Sequence, residues 1–365
     1  MNDAAAAGAK ATGPRTVQGL VALWRDAPPR SRWSLVVLAL VLALLPLVAD
    51  RYLLTTLILV LSLAYVGQAW NIMMGFAGQL SLGHALYVGL GAYTAAALFN
   101  HYALTPWLGM LVAVAVCVAA ASLIGWLAFR FGISGTYFAL LTIAFAEFTR
   151  IGFDHFAWVG GSAGYFIRVS QGGTRDWLNL RGGPVMFYYL ALGLAVFAFV
   201  LSAWLLRGRA GYYFRAIRDN EEAARAAGID TFRYKLYAVQ ISGGLTALAG
   251  VFHAFYYSNL FPEQIFNISR SIEIVLVAII GGIGTLFGPV LGAAILTLLS
   301  ESLNAALGAF GVDVPGVKQV LYGVVLGAAI MFMPHGVWPA LARRFGFERR
   351  RRDVADARAQ GPADA

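Results

Sequence analysis

Few side chains in this sequence have the chemistry for a site, and the most concentrated set sits among glycines. From Gly75 to Gly91 the chain reads GFAGQLSLGHALYVGLG, with Gln79, Ser81 and His84 inside and Asn71 just ahead. Amide, hydroxyl and imidazole groups between long apolar runs suit the lining of a path for a polar solute. They suit equally well the satisfaction of backbone groups at glycine-rich breaks, since polar side chains and irregular backbone survive at membrane depth only against protein or water. Glu147, Arg150 and Asp154 are spaced along one helix face, as an internal ion pair or a contact for an arriving zwitterion. Glu273 and Glu301 read as interfacial groups, and His253 as a hydrogen-bonded packing residue. No HExxH or paired-cysteine spacing occurs, so no metal set is drawn. Lys10, Lys235 and Lys318 follow Ala, Tyr and Val, so no lysine completes a Walker A loop, and this chain calls for no cofactor of its own.

The elements that must hold these residues are membrane helices. Hydrophobic residues make up 59% of the chain and charged residues 12%, against about 25% charged in soluble domains. The apolar runs approach the roughly 20 residues that cross a hydrocarbon core as helix, and the alternating strands of a barrel are missing. The fold class is therefore all-α and polytopic. The formal charge of +9 collects in loops and ends with no basic, aromatic groove, so it orients the protein rather than binding nucleic acid. Cys117, the single cysteine, lies in an apolar run and reads as a core residue.

Residues 1–32 read as a disordered cytoplasmic tail, 33–340 as the transmembrane domain, and 341–365 as a basic cytoplasmic tail. Candidate spans cover 33–49, 52–73, 79–99, 106–129, 136–153, 185–206 and 236–257, with apolar material at 271–303 and 317–333. Arginines before the first span and after the last place both ends in the cytoplasm. The loop 207–235, with seven basic residues, returns to the same side after the sixth span. Parity then requires 271–303 to split, and Gly281, Gly282, Gly284, Gly288 and Pro289 in GGIGTLFGP supply the break. About ten transmembrane helices result, with eight plus a re-entrant hairpin as the alternative.

Within the loop, Asp219 is placed to cap a short helix carrying Glu221 and Glu222, with Glu222 at capping-box spacing and Gly228 as its stop. Ala223, Ala224, Ala226 and Ala227 would leave it a nearly side-chain-free surface, flanked by Arg218 and Arg225. Such a helix could dock in a shallow groove or simply connect two spans.

Three segments, GFAGQLSLGHALYVGLGAY, AIRDNEEAARAAGI and SIEIVLVAIIGGIGTLFGPVLGA, resemble the permease subunits of branched-chain amino-acid ABC importers, in order and spacing, over about residues 33–340. The resemblance implies one half of a translocation pore in a bacterial plasma membrane. It implies a second, homologous permease, two cytoplasmic ATPase subunits that bind ATP and magnesium, and an external substrate-binding protein. It further implies that Arg218, Asp219, Asn220, Glu221, Glu222, Ala223 and Gly228 form a coupling helix against the ATPases. The glycine-rich stretch 154–184 and the loop 258–270 become candidate surfaces for the binding protein. Leucine, isoleucine and valine are the implied substrates, with urea or short amides as the alternative. An ion-coupled secondary transporter lacks paired acids at mid-span, and a membrane enzyme lacks a convergent nucleophile and base.

Overall fold

The computed structural model describes residues 41–168, 177–309, 316–317, 320, 323–324, 327, 331 and 336–344. The 1–32 tail, residues 33–40 of the first span, most of the 317–333 span and most of the 341–365 tail lie outside the described residues.

The described chain is built from helices. In order they are α1 (Arg51–Asn71), α2 (His84–Tyr102), α3 (Pro106–Arg130), α4 (Gly135–Asp154), α5 (Pro184–Arg207), α6 (Arg209–Asp219), α7 (Glu221–Ala226), α8 (Thr231–Tyr257), α9 (Pro262–Ile265), α10 (Ile268–Gly281), α11 (Gly288–Ala309) and α12 (Val337–Arg344). Five segments are long and apolar enough to cross a membrane: Arg51–Phe76, Pro106–Arg130, Pro184–Arg207, Thr231–Tyr257 and Pro262–Gly281. α3 and α5 also expose large apolar side chains, including Leu111, Leu123, Trp126, Val196 and Phe197. A helix apolar on every side yet open to its surroundings belongs in lipid. The chain is a multi-pass helical membrane protein.

Small residues decide which helices touch. α8 runs through the centre, packed on α1, α2 and α3. At its crossing with α2, a side chain on Gly250 would strike the Val88 carbonyl, and one on Gly91 would strike the Ala247 backbone. In a bilayer, where apolar burial brings helices together only weakly, such close backbone contact supplies the packing energy. α10 and α11 form a second close pair, in which Gly292 lies against the Val277 carbonyl.

Two spans start away from their sequence-derived limits. The 79–99 segment becomes helical only at His84; before it, α1 widens into a π-helical turn at Ile72–Phe76, and Ala77 to Gly83 are non-helical. Gly78 turns the chain there at φ +72°. The 236–257 span begins at Thr231, because the Asp230 side chain accepts from the Arg233 amide and caps it. At the far end, β1 (Tyr165–Phe166) and β2 (Asn259–Leu260) pair antiparallel and tie together the two loops that follow α4 and α8.

Replacing Gly250 with valine should prevent close approach of α2 and α8. The expected outcome is loss of monodisperse protein in detergent, while Gly193→Val, where a side chain meets open space, leaves it intact.

Candidate functional site

The polar residues of the glycine-rich segment converge on two helix breaks. Asn71, fully buried at the end of α1, accepts from the Gly284 amide at 2.8 Å and donates to the Thr285 carbonyl at 2.9 Å. One side chain thereby satisfies both sides of the gap between α10 and α11. The chain leaves α10 at Gly281, passes Gly282 (φ +119°) and Gly284 (φ +77°), and re-enters helix at Gly288, with Pro289 in the first turn. Only glycine takes those backbone angles without strain.

The second break surrounds the start of α2. The Leu82 amide donates to Thr142 Oγ1, the Gly83 amide to Ser81 Oγ, and the Ala85 amide to Ser271 Oγ. His84 Nε2 lies 2.9 Å from Ser242 Oγ, whose hydroxyl donates to the Ala69 carbonyl. Ser242 is eleven residues into α8, about 17 Å from its start at 1.5 Å per residue, so α2 begins well inside the length of α8. Gln79 donates to the Ala77 carbonyl, while Gln79 Oε1 and His84 Nδ1 find no partner among the described residues. Thr142, Ser242, Ser271 and Thr285 carry no marking in the sequence, since isolated serines and threonines in apolar helices commonly bond their own backbone.

The loop 207–235 is more helical than its sequence suggested. α6 precedes it and buries Gly211, Phe214 and Ile217 on one side; their spacing of three is the signal that marks this face. The cap of α7 is Asn220, whose Oδ1 accepts from the Ala223 amide at 3.0 Å. The Asp219 cap is thus corrected by one residue. Asp219 closes α6 and takes Arg218 at 3.1 Å, and with Ala223 at the third helical position no capping box forms. Gly228 ends the turn at φ +83°.

α7 is held at its base. Glu221 Oε1 accepts from Lys235 Nζ at 2.7 Å and Arg225 Nη2 at 3.1 Å. The Lys235 ammonium, its side chain 7% exposed, also sits over the Phe129 ring at 4.7 Å. Burial raises the Glu221 carboxyl, but hydrogen bonds and charge from Lys235, with Thr231 and Arg225, outweigh it and hold the group below the ordinary glutamate value. Ala224 is buried, whereas Glu222, Ala223, Ala226 and Ala227 face outward. Arg218 reaches the other way, donating from Nη1 to the Gly75 carbonyl at 2.6 Å. Its stem packs on Gly78, and a side chain on Gly284 would run into its guanidinium. One arginine therefore joins α6, the π-turn of α1 and the α10–α11 break.

The remaining charged residues stand apart from this junction. Arg150 binds Glu147 at 2.6 Å and Asp154 at 2.8 Å along α4. Tyr52 donates to Glu301 at 3.3 Å, and Arg270 donates to His253 at 3.1 Å. Cys117 is buried, with Sγ donating to the Tyr87 carbonyl at 3.4 Å.

The described residues thus form a multi-pass helical membrane domain whose helices are interrupted at two places, with the short helix α7 mounted beside α8. The chain belongs to the family of branched-chain amino acid transport system permease components, whose family model matches residues 52–333. It is 28% identical to the high-affinity branched-chain amino acid transport system permease protein LivM of Escherichia coli K12, over 76% of this chain and 68% of that protein. It is 24% identical to a probable branched-chain amino acid transport permease protein LivM of Methanocaldococcus jannaschii, over 42% and 46%. The autoinducer 2 import system permease protein LsrC of Yersinia pseudotuberculosis IP 31758 is 33% identical, over 33% and 36%. No solved structure matches.

Two measurements check the junction. Asn71→Ala leaves the Gly284 amide and Thr285 carbonyl without their partner, at about 1–3 kcal/mol for each buried group, and should lower the unfolding temperature in detergent. The Glu221 carboxyl, titrating below its unfolded value, adds stability above the ordinary glutamate range near pH ~4.3 and loses it as pH falls through the lowered value. Lys235→Met should therefore weaken the α7 anchor at neutral pH and shrink its acid sensitivity, read by protease nicking at Gly228.

Proposed function

We propose that this chain forms one half of the translocation pore of an ABC importer for branched-chain amino acids, with α7 as the helix that receives the ATPase stroke. The observation that carries the reading is the mounting of α7. A contact between rigid subunits transmits motion only through a short element that does not itself give way. α7 has a side-chain cap, a glycine stop, an ion pair to α8, and a small outward surface of Glu222, Ala223 and Ala226. Arg218 then links its base to Gly75 and the Gly284 break, so displacement of α7 bears on both interrupted regions together.

In this mechanism two ATPase subunits bind ATP and magnesium, close, and press on α7 and on its counterpart in a second permease. The helices around the breaks shift, exchanging an outward for an inward opening. Asn71, Gln79, Ser81 and His84 are the pathway residues nearest that change. The loops joined by β1 and β2 receive the external binding protein. The protein sits in a bacterial plasma membrane with ten spans and both ends in the cytoplasm. Support for ten comes from the α8–α10 course. α8 leaves the coupling end and runs 27 residues, about 40 Å, before the chain turns back through α9 and α10 to a break that meets Arg218. That path supports two full crossings over a hairpin that dips in and out of one face.

Branched-chain amino acids are favoured by the family and by the two LivM proteins. The LsrC likeness keeps the ligand panel broad. In cells lacking this gene, its restoration should recover labelled leucine uptake, competed by isoleucine and valine and not by urea. Unchanged leucine uptake would reject this substrate. In the assembled complex, Ala226→Trp should insert normally yet lose ATPase co-purification, because a bulky ring on the outward face of α7 prevents docking. Retention of bound ATPase and normal uptake in that variant would sink the coupling assignment.

A further inference from the structure

Of the five described spans, α5 is the least covered by the rest of the protein, with 28% of its apolar stretch buried. Val196, Val200 and Trp204, spaced by four, are all exposed along one face, with Phe197 beside them. That stripe faces acyl chains. Arg207 continues it three residues on, at the last position of α5, and is itself exposed. The face thus passes from hydrocarbon through an indole to a cation, which is the order of a membrane boundary, where tryptophan and tyrosine sit at headgroup level.

α6 folds back at this boundary and adds to it. Gly211 lies so close to the Leu205 carbonyl that no side chain fits there, so the two helices meet at a fixed corner. Phe214 and Ile217 face inward with Gly211, which turns Arg209, Tyr212 and Arg215 outward at spacings of three. Arg215 donates from Nε to the Gly211 carbonyl at 3.2 Å and from Nη2 to the Leu206 carbonyl at 3.3 Å. Its guanidinium therefore stays beside the end of α5 with donors to spare, since arginine has five. Arg207 and Arg209 have no side-chain hydrogen bond or ion pair among the described residues. No aspartate or glutamate occurs from Pro184 to Arg218. The arginines that follow are matched, Arg218 with Asp219, Arg225 with Glu221 and Arg233 with Asp230. Three unmatched cations are left at one corner.

We infer that the corner of α5 and α6 binds an anionic phospholipid, with Arg207, Arg209 and Arg215 around the phosphate, Tyr212 at headgroup level and the acyl chains on Trp204, Val200 and Val196. The occupant follows from the charges and from the stripe they terminate. Guanidinium groups present paired donors that match phosphate oxygens, and a leaflet rich in anionic lipid attracts each such cation. A soluble anion would leave the apolar stripe uncovered. A zwitterionic lipid would bring its own ammonium against three cations, so a net negative headgroup is selected. The contact proposed for the ATPase lies on α7, whereas Arg215 is drawn back onto the end of α5. The inference goes beyond the importer reading and stands without it, because it needs only the placement of α5 in lipid.

The test titrates the purified full chain in dodecyl maltoside with phosphatidylglycerol or phosphatidylcholine and counts bound lipid by native mass spectrometry. Phosphatidylglycerol should bind the more tightly. Arg207→Gln combined with Arg209→Gln should weaken it about 30-fold, at about fivefold for each cation removed. Arg51→Gln combined with Arg130→Gln removes the same charge elsewhere and should leave binding unchanged. If the first pair does not insert, quenching of Trp204 decides, read as the fluorescence difference between the wild type and Trp204→Phe. Phosphatidylglycerol brominated on its acyl chains should quench that difference, and brominated phosphatidylcholine at the same concentration should not. Equal quenching by the two lipids overturns the site. So does phosphatidylglycerol binding that survives Arg207→Gln with Arg209→Gln, or that soluble glycerol phosphate displaces at equal concentration. Loss of ATPase co-purification in that variant with lipid binding intact would mark the corner as a protein contact and equally overturn it.

Discussion

The arrangement depends on the bilayer's inability to hydrogen-bond. Every backbone group that leaves helix at depth must find a protein partner, because each one left unpaired there costs several kcal/mol. Asn71 meets that demand at the α10–α11 gap, accepting one amide and donating to one carbonyl. Ser81, Thr142 and Ser271 meet it at the start of α2. Because the Thr142 and Ser271 hydroxyls come from α4 and α10, the break also sets which helices lie beside α2. Closing the gaps and packing the bundle are one problem.

Satisfied breaks are points where a helix can change course without exposing its backbone. The junction of Arg218 with Gly75 and Gly284 puts two such points under one side chain. Lys235 contributes from the other direction, since an ammonium held by Glu221 and the Phe129 face couples α7 to α3 and α8 at once. Such a partly buried pair is screened less than a surface salt bridge, and it loses less to salt than exposed pairs such as Arg233 with Asp230. The end of the domain that bears α7 is therefore cross-linked from two sides by polar contacts.

The opposite end follows a different rule. There Arg270 and Glu273 stand close without a direct hydrogen bond, beside a cavity. Structural ion pairs within apolar surroundings tend toward short, saturated contacts, as Arg150 shows with Glu147 and Asp154. On α4 the pair fastens one helix, whereas on α10 Arg270 turns to His253 of α8.

Much of this was legible in the sequence, and the rest divides cleanly by distance along the chain. Lengths of apolar runs, the glycine and proline punctuation from Gly281 to Pro289 and the stop at Gly228 are properties of contiguous residues, so they read directly as helices and their ends. Local signals misplaced the cap of α7 by one residue, because Asp219 and Asn220 are adjacent and both can cap; only the extension of α6 through Asp219 leaves the role to Asn220. The start of α2 at His84 rather than 79 was likewise decided elsewhere, by hydroxyls 60 and 186 residues away. Arg270 carried no local mark, since its meaning lies in facing His253 across two helices. Composition and periodicity determined by themselves that this is a helical membrane protein with a basic loop on one side. Tertiary structure alone decided which polar groups close a gap and which border a cavity, because those pairings depend on where helices distant in sequence come to pack.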